Sequence, residues 1–301
     1  MSAFLSAYAM RGITVPELTG FRDAMLKLCI PIDLSGYQAI DVCGTGGDGK
    51  NTFNISTLST FVLAGAGYKV AKHGNYGISS ISGSSNILEY FGYRFTNQMD
   101  HLLESMEKTG ISFLHAPLFH PAMKSIAPIR KELGVKTFFN MLGPLVNPSK
   151  PKYQMIGVFS LELARLYHHL FQQSDSQYYI LHSLDGYDEI SLTDDIRFYS
   201  NESEGILPFS EFISKALKKE EVMGGKTMEE SAAIFLKILN GEGTQAQNEV
   251  IYANTAIAIR ILDPKLNLEE AKWKARESLE SKMAHHHFQQ VLELNQQQFK
   301  A

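Results

Sequence analysis

The feature that most restricts the fold of this chain is the passage Asp41-Val42-Cys43-Gly44-Thr45-Gly46-Gly47-Asp48-Gly49. A short apolar run, 39–43, meets four glycines within six residues, and a helix-forming stretch follows. Glycine lets backbone N–H groups approach an anion closely, and the N-terminus of the next helix adds positive potential. A single glycine pair would indicate only a tight turn. The cluster points instead to a cradle for phosphate or diphosphate. No Gly-Lys-Ser/Thr closes the passage, so it is not a Walker A loop, and its spacing departs from Gly-x-Gly-x-x-Gly.

The rest of the chain places this loop in an α/β fold, a mostly parallel central sheet with flanking helices plus a small all-helical domain. Apolar runs at 39–43, 68–71, 111–115, 155–159 and 178–182 read as strands. Helical patterns at 56–66, 82–92, 97–108 and 161–172 alternate with them, with Ser82 and Asn97 as caps. The first 35 residues or so are helical. Ala3, Phe4, Ala7, Tyr8 and Met10 share one helical face without a preceding cap, and Thr14-Val15-Pro16-Glu17 is a capping box ahead of a second helix. The segment 120–148, rich in Pro and Gly, lacks strand character and is expected to leave the sheet and join the N-terminal helices. The expected division is 1–35 with about 120–148 as a helical domain and 36–301 as the α/β domain. Further helices are expected at 227–239, 245–261 and beyond Asn267. His285-His286-His287 sits in a helical pattern whose neighbouring side chains diverge, which favours a solvated face over a metal site.

Composition removes several function classes. Lys and Arg number 28 against 32 Asp and Glu, a net charge of -4, and no basic stripe is present, which disfavours nucleic acid as partner. Two cysteines exclude a disulfide scaffold and a four-Cys zinc site. The longest apolar stretch, 61–67, falls far short of the ~20 residues needed to span a bilayer. With no basic n-region at the start, the expectation is a cytoplasmic protein without membrane contact.

Other polar groups fall where a parallel sheet binds ligands. Asn54-Ile55-Ser56-Thr57 opens the helix after the glycine loop; Asn54 could simply cap it, whereas Ser56 and Thr57 could hold phosphate or a phosphate-bridging Mg²⁺. Lys72-His73-Gly74-Asn75 follows the second strand, as a solvated loop or as a ligand-binding end. Ser79, Ser80, Ser82, Ser84 and Ser85 crowd one loop and could serve a second phosphate. Asp188 and Glu189 form an acidic pair of the kind Mg²⁺ uses, although an isolated pair is more often a surface turn. Arg130 could grip a carboxylate bidentately, or simply face solvent.

Together these motifs resemble the anthranilate phosphoribosyltransferase family of tryptophan biosynthesis. The matching pieces are Gly44-Thr45-Gly46-Gly47-Asp48, Asn54-Ile55-Ser56-Thr57, Lys72-His73-Gly74-Asn75, Ser82-Gly83-Ser84, His120-Pro121-Ala122, the stretch from Arg130 to Asn147 with Asn140-Met141-Leu142-Gly143-Pro144-Leu145 inside it, and Asp188-Glu189. The resemblance runs from residue 1 to about 262. It implies a cleft between the two domains, a homodimer joined through the helical domain, and transfer of a phosphoribosyl group from 5-phosphoribosyl 1-diphosphate (PRPP) to anthranilate. On this resemblance, Gly44, Gly47, Asp48, Thr52, Asn54, Ile55, Ser56, Thr57, Lys72, Ser80 and Ser84 would bind PRPP. Gly44, Asn75 and Arg130 would bind anthranilate, with His73 and His120 nearby. Ser56, Asp188 and Glu189 would serve Mg²⁺, and no catalytic nucleophile is expected. The family begins with roughly two more helices than precede the first motif here, so the helical domain is expected to be truncated. Two competing functions are a pyrimidine nucleoside phosphorylase and a non-catalytic relative that binds nucleic acid. Asp188-Glu189 and Arg130 lean against the first, and the net charge against the second.

Overall fold

The computed structural model describes residues 2–77, 82–124, 126–134 and 137–300, with only the backbone described for Ala127, Arg130 and Lys131. The chain starts with α1 (Ser2–Arg11) and α2 (Val15–Leu28). Thr14 opens α2 as predicted, its N–H and hydroxyl both donating to Glu17 Oε2 at 3.0 and 2.8 Å. There follow β1 (Ala39–Gly44), α3 (Ile55–Gly65), β2 (Lys69–Gly74), α4 (Ser84–Tyr90), α5 (Met99–Thr109) and β3 (Ile111–His115). Short helices α6 (Ala116–Phe119) and α7 (Ala127–Leu133) lead through 3₁₀ turns to β4 (Tyr153–Gly157), α8 (Leu161–Phe171) and β5 (Gln177–Ser183). The chain continues through β6 (Ile196–Ser200), β7 (Glu204–Leu207), α9 (Met228–Leu239), α10 (Gln245–Leu262), α11 (Leu268–Glu280) and α12 (Met283–Gln298).

The seven strands form one sheet in the order β3-β2-β1-β4-β5-β6-β7. The first five are parallel, and β6 and β7 close one edge antiparallel. The fold is therefore the mostly parallel α/β class expected. The antiparallel pair escaped the sequence reading because its alternation is weak. After β1 the chain moves outward through β2 and β3, then returns to the other side of β1 as β4. Connections leave β1 and β4 in opposite directions, and that divergence opens a crevice at their carboxyl ends.

One face of the sheet is covered by α3, whose Leu58, Phe61, Val62 and Leu63 are buried, and by α10 beside it, with α11 and α12 packed against them. On the other side, α1 and α2 meet α8 and the segment between α7 and β4. Leu5 and Leu18 are fully buried there, each contributing about 1.5–3 kcal/mol. Phe21 stacks on Phe138 with ring centroids 4.2 Å apart.

The sheet is not zipped throughout. β1 pairs with β4 over five residues and β2 with β3 over five, but β1 pairs with β2 only at Ala39↔Lys69 and Ile40↔Val70. Beyond Ile40, side chains replace the ladder. Asp41, 1% exposed, accepts the His73 N–H through Oδ1 at 3.1 Å and an Asn147 Nδ2 hydrogen through Oδ2 at 2.8 Å. Asn147 Nδ2 also donates to the Ala71 carbonyl at 2.9 Å, and its Oδ1 accepts from Ser149 N and Oγ at 2.9 and 2.8 Å. Burial raises the Asp41 carboxyl to about 6, against the opposing charge of Lys72 and these hydrogen bonds.

Several boundaries differ from those read off the sequence. β2 extends three residues further, so Lys72, His73 and Gly74 belong to a buried strand and not to a solvated loop. Gly83 precedes α4 in place of Ser82, whose hydroxyl donates to Asn54 Oδ1 at 3.0 Å. Gln98 precedes α5 in place of Asn97, whose amide reaches the Leu118 carbonyl at 3.3 Å. β4 starts two residues before the predicted run, because Tyr153 and Gln154 pair with β1 and β5. The histidines of α12 do not all face solvent: His287 Nδ1 donates to the Thr109 carbonyl at 2.9 Å. Both cysteines are free.

Replacing Asn147 by Ala leaves the Asp41 carboxylate short of a donor in a buried place. The expected cost is about 1.5–3 kcal/mol, read as a lower midpoint in urea unfolding.

Candidate functional site

The glycine loop leaves the carboxyl end of β1 at the crevice beside β4. Thr45 N–H continues the ladder to Gly157 O at 2.9 Å, and the next donor, Gly46 N–H, meets Asp188 Oδ2 at 2.6 Å. Gly46 and Gly47 both have positive φ, 62° and 72°, the left-handed region that side chains rarely enter. The contact with Asp188 also needs bare α-carbons. A Cβ on Gly157 would stand 1.6 Å from the Asp188 carbonyl oxygen, and one on Gly44 would stand 2.6 Å from Asp188 Oδ2. Across the loop, Thr52 bridges to Met223, and Asn51 O accepts from Gly224 N–H at 2.7 Å. The loop is thus pinned from two sides before any ligand arrives.

The start of α3 faces the same space. The Asn54 side chain does not cap the helix as the simplest reading held. Its Nδ2 donates to Ser82 O at 2.6 Å, tying α3 to the turn before α4. Ile55 and Thr57 are each only 1% exposed, so they offer the cleft the backbone of a first helical turn more than their side chains. The Ser56 hydroxyl and N–H lie near the Glu189 carboxylate and favour its charged form. At the turn before α4, a Cβ on Gly83 would lie 2.0 Å from Gly77 N, and Ser84 Oγ donates to Asn75 O at 3.2 Å.

Three acidic groups crowd one wall. Asp188 is raised well above the usual carboxylate range, by burial first and then by Glu189 and Asp48. Burial lifts Glu189 to about 7, opposed by Lys72 and Ser56, and burial also raises Asp48. Lys72, 2% exposed, donates from Nζ to the Val42 carbonyl. No group of three or more His, Cys, Asp or Glu among the described residues is arranged to hold a metal ion by itself. A divalent cation here would need oxygens from water or a bound phosphate, which is how Mg²⁺ is generally held.

The imidazole of His73 is fixed at two points. Its backbone N–H is held by Asp41, and its Nδ1 meets the Gly143 carbonyl at 2.9 Å. A carbonyl only accepts, so Nδ1 carries the hydrogen and Nε2 keeps a lone pair, with no hydrogen-bond partner among the described residues. Burial, then His120 nearby, pushes the ring down to about 3, so it is neutral at pH 7. The His120 ring lies 5.5 Å away, edge to face.

Of the residues singled out in the sequence, one cleft gathers Gly44, Gly47, Asp48, Thr52, Asn54, Ile55, Ser56, Thr57, Lys72, His73, Asn75, Ser84, Asp188 and Glu189. His120 stands behind His73 and does not line the cleft. Ser80 lies outside the described residues, as does Ser79; for Arg130 only the backbone within α7 is described.

The family described as "Glycosyl transferase family, a/b domain" matches residues 36–285. The anthranilate phosphoribosyltransferase of Christiangramia forsetii is 57% identical over 98% of this chain and 89% of its own length. This chain belongs to the anthranilate phosphoribosyltransferase family. The crystal structure of the family member from Thermus thermophilus superposes with a TM-score of 0.90 at 33% identity, covering 98% of this chain and 89% of that one. The Saccharomyces cerevisiae member, solved in complex with PRPP and Mg, gives a TM-score of 0.90 at 29% identity, covering 98% and 85%. The fold and the family inferred from the motifs are thereby established.

Two residues at or beside this cleft carry no role in the sequence analysis. Asp41 stood in the quoted motif without a role, although a carboxylate inside an apolar strand is itself a signal. Lys50 lines the cleft beside the loop glycines, and nothing in its local sequence separated it from a surface lysine.

The raised carboxyls give a pH test. Because the folded value for Glu189 lies above the ordinary 4.5, ionisation works against folding in the ligand-free protein. Glu189→Gln should be more stable than the parent. The gain should appear as pH rises through the 4.5-to-7 window, level off above about 7 and vanish below 4.5, as followed by thermal melting without divalent cations.

Proposed function

We propose that this chain transfers the 5-phosphoribosyl group of PRPP to the amine of anthranilate, giving N-(5-phosphoribosyl)anthranilate and diphosphate, the second step from chorismate in tryptophan biosynthesis. The observation that carries the reading is the pairing of a pinned glycine loop with a strained carboxylate group in one cleft. The loop backbone and the start of α3 suit the phosphates, and the acidic wall suits the cations that accompany them.

The roles are those the family resemblance implies. The backbone of Gly44, Gly47, Ile55 and Thr57, with Asp48, Thr52, Asn54, Ser56, Lys72, Ser80 and Ser84, would hold PRPP. Asn75, Arg130 and Gly44 would hold anthranilate, with His73 and His120 beside it. Ser56, Asp188 and Glu189 would hold Mg²⁺, and their crowding is relieved when positive charge arrives. Bound Mg²⁺ supplies charge neutralisation to the departing diphosphate. In the reaction the C1′–O bond to diphosphate breaks, positive charge grows on the ribose ring, and the aromatic amine attacks C1′ from the opposite face. That amine is neutral at pH 7 and needs no strong base. Lys72 and the loop N–H groups stabilise the leaving charge, and positioning supplies much of the rate.

Residues 1–35 with about 120–148 would act as a helical unit and the rest as the α/β unit. Phe4 and Met10 on α1 and Leu28 on α2, exposed to 46, 87 and 58%, suit burial against a second copy in a homodimer. A net charge of -4 and a cleft with an acidic wall do not suit nucleic acid. No helix among the described residues is long and apolar enough to cross a membrane.

The test is loss of anthranilate fluorescence with purified protein, PRPP and Mg²⁺, each omitted in turn. Consumption should require all three; consumption without PRPP, or none from folded protein, would reject the activity. Arg130→Ala should weaken use of anthranilate by roughly 10- to 150-fold, the equivalent of about 1.5–3 kcal/mol, and leave PRPP affinity nearly unchanged. Equal weakening of both would remove Arg130 from the anthranilate site.

A further inference from the structure

Two lysines, Lys50 and Lys72, supply the cationic side chains among the described residues that line the cleft. They differ in what surrounds them. Lys72 is buried in β2, donates to the Val42 carbonyl and is balanced by the charges of Asp41 and Glu189. Its position and charge are fixed by the sheet.

Lys50 is half-buried at the end of the glycine loop, and its backbone N–H donates to Asp48 Oδ1 at 2.9 Å. Its ammonium makes no hydrogen bond or ion pair among the described residues and lies 4.7 Å from the centroid of the Tyr187 ring. Gly186, at φ 100°, lies beside it: a Cβ there would be in ordinary van der Waals contact, 3.7 Å from Lys50 Cε and 3.9 Å from Nζ. Tyr187 is 4% exposed, and the Lys50 charge is close enough to the acidic wall to favour the ionised form of Asp48. A cation over an aromatic face is held less strongly than one hydrogen-bonded to a phosphate oxygen. The ammonium is therefore stored within reach of the cleft and outcompeted once a phosphate enters.

We infer that Lys50 is a phosphate-binding side chain of this site, resting over Tyr187 and within reach of a bound diphosphate group. Its ligand is the diphosphate of PRPP or of the product, because the glycine loop that carries Lys50 and the acidic wall that stores it meet on that side of the cleft. The inference rests on the transferase reading above and adds to it a cation that is movable, where Lys72 is not.

Calorimetric titration with inorganic diphosphate and Mg²⁺ tests it directly on the wild-type protein, Lys50→Ala and Lys50→Arg. The Ala variant should bind diphosphate about tenfold or more weakly, as expected for loss of a charge-assisted hydrogen bond, and the Arg variant should stay within about threefold of wild type. The KM for PRPP should rise with the dissociation constant, while the KM for anthranilate and the melting temperature hold. Diphosphate binding by the Ala variant within about twofold of wild type overturns the assignment. So does equal weakening of diphosphate and anthranilate with a lowered melting temperature, the pattern of a merely structural lysine. Failure of the transferase reading looks different: wild-type protein would then consume no anthranilate at all.

Discussion

A buried carboxylate at the middle of β1 ties together the working end of this molecule. Asp41 sits inside an otherwise apolar strand and collects the His73 N–H and the Asn147 amide. Leaving water is costly for a carboxylate, and the two donors and the nearby Lys72 offset much of that cost. The same two bonds anchor the segment arriving from the helical side of the molecule and fix the backbone of the histidine at the cleft. Without them the positions of His73 and Asn147 would lose their common reference.

The cleft is built from opposed electrostatic tendencies. On one side are N–H groups without secondary-structure partners and the positive end of α3; on the other are carboxyls whose charged forms burial disfavours. Part of this conflict is settled within the chain, since Asp188 accepts the Gly46 N–H and Ser56 favours the charged form of Glu189. Such a site favours neither a bare anion nor a bare cation. It fits a polyanion that arrives with metal ions, because each part relieves one side of the strain.

How much of this was visible in the sequence depends on the range of the interaction. The glycine loop, the capping box at Thr14 and the strand 111–115 were legible because local sequence determines them. The grouping of Asp188 with Gly44, 144 positions apart, rested on resemblance, since only the sheet order brings them together. Lys72 and His73 were read as following a strand because polar residues rarely lie inside one. Their burial is explained by Asp41 and the Gly143 carbonyl, partners remote in the chain. Ser82 and Asn97 were chosen as caps on residue type alone, whereas tertiary partners engage both side chains and the helices start later. β6 and the edge strand β7 carry little apolar alternation: β6 is buried only at Ile196 and Tyr199, and β7 has no buried residue.

The tautomer of His73 has a lasting cost. With its proton held by a main-chain carbonyl and its ring kept neutral down to about pH 3, the imidazole keeps a lone pair on Nε2 that is sealed from solvent and has no hydrogen-bond partner among the described residues. A buried acceptor in that state costs free energy until an N–H or O–H reaches it. The condition persists across the whole physiological pH range, since the ring does not titrate within it.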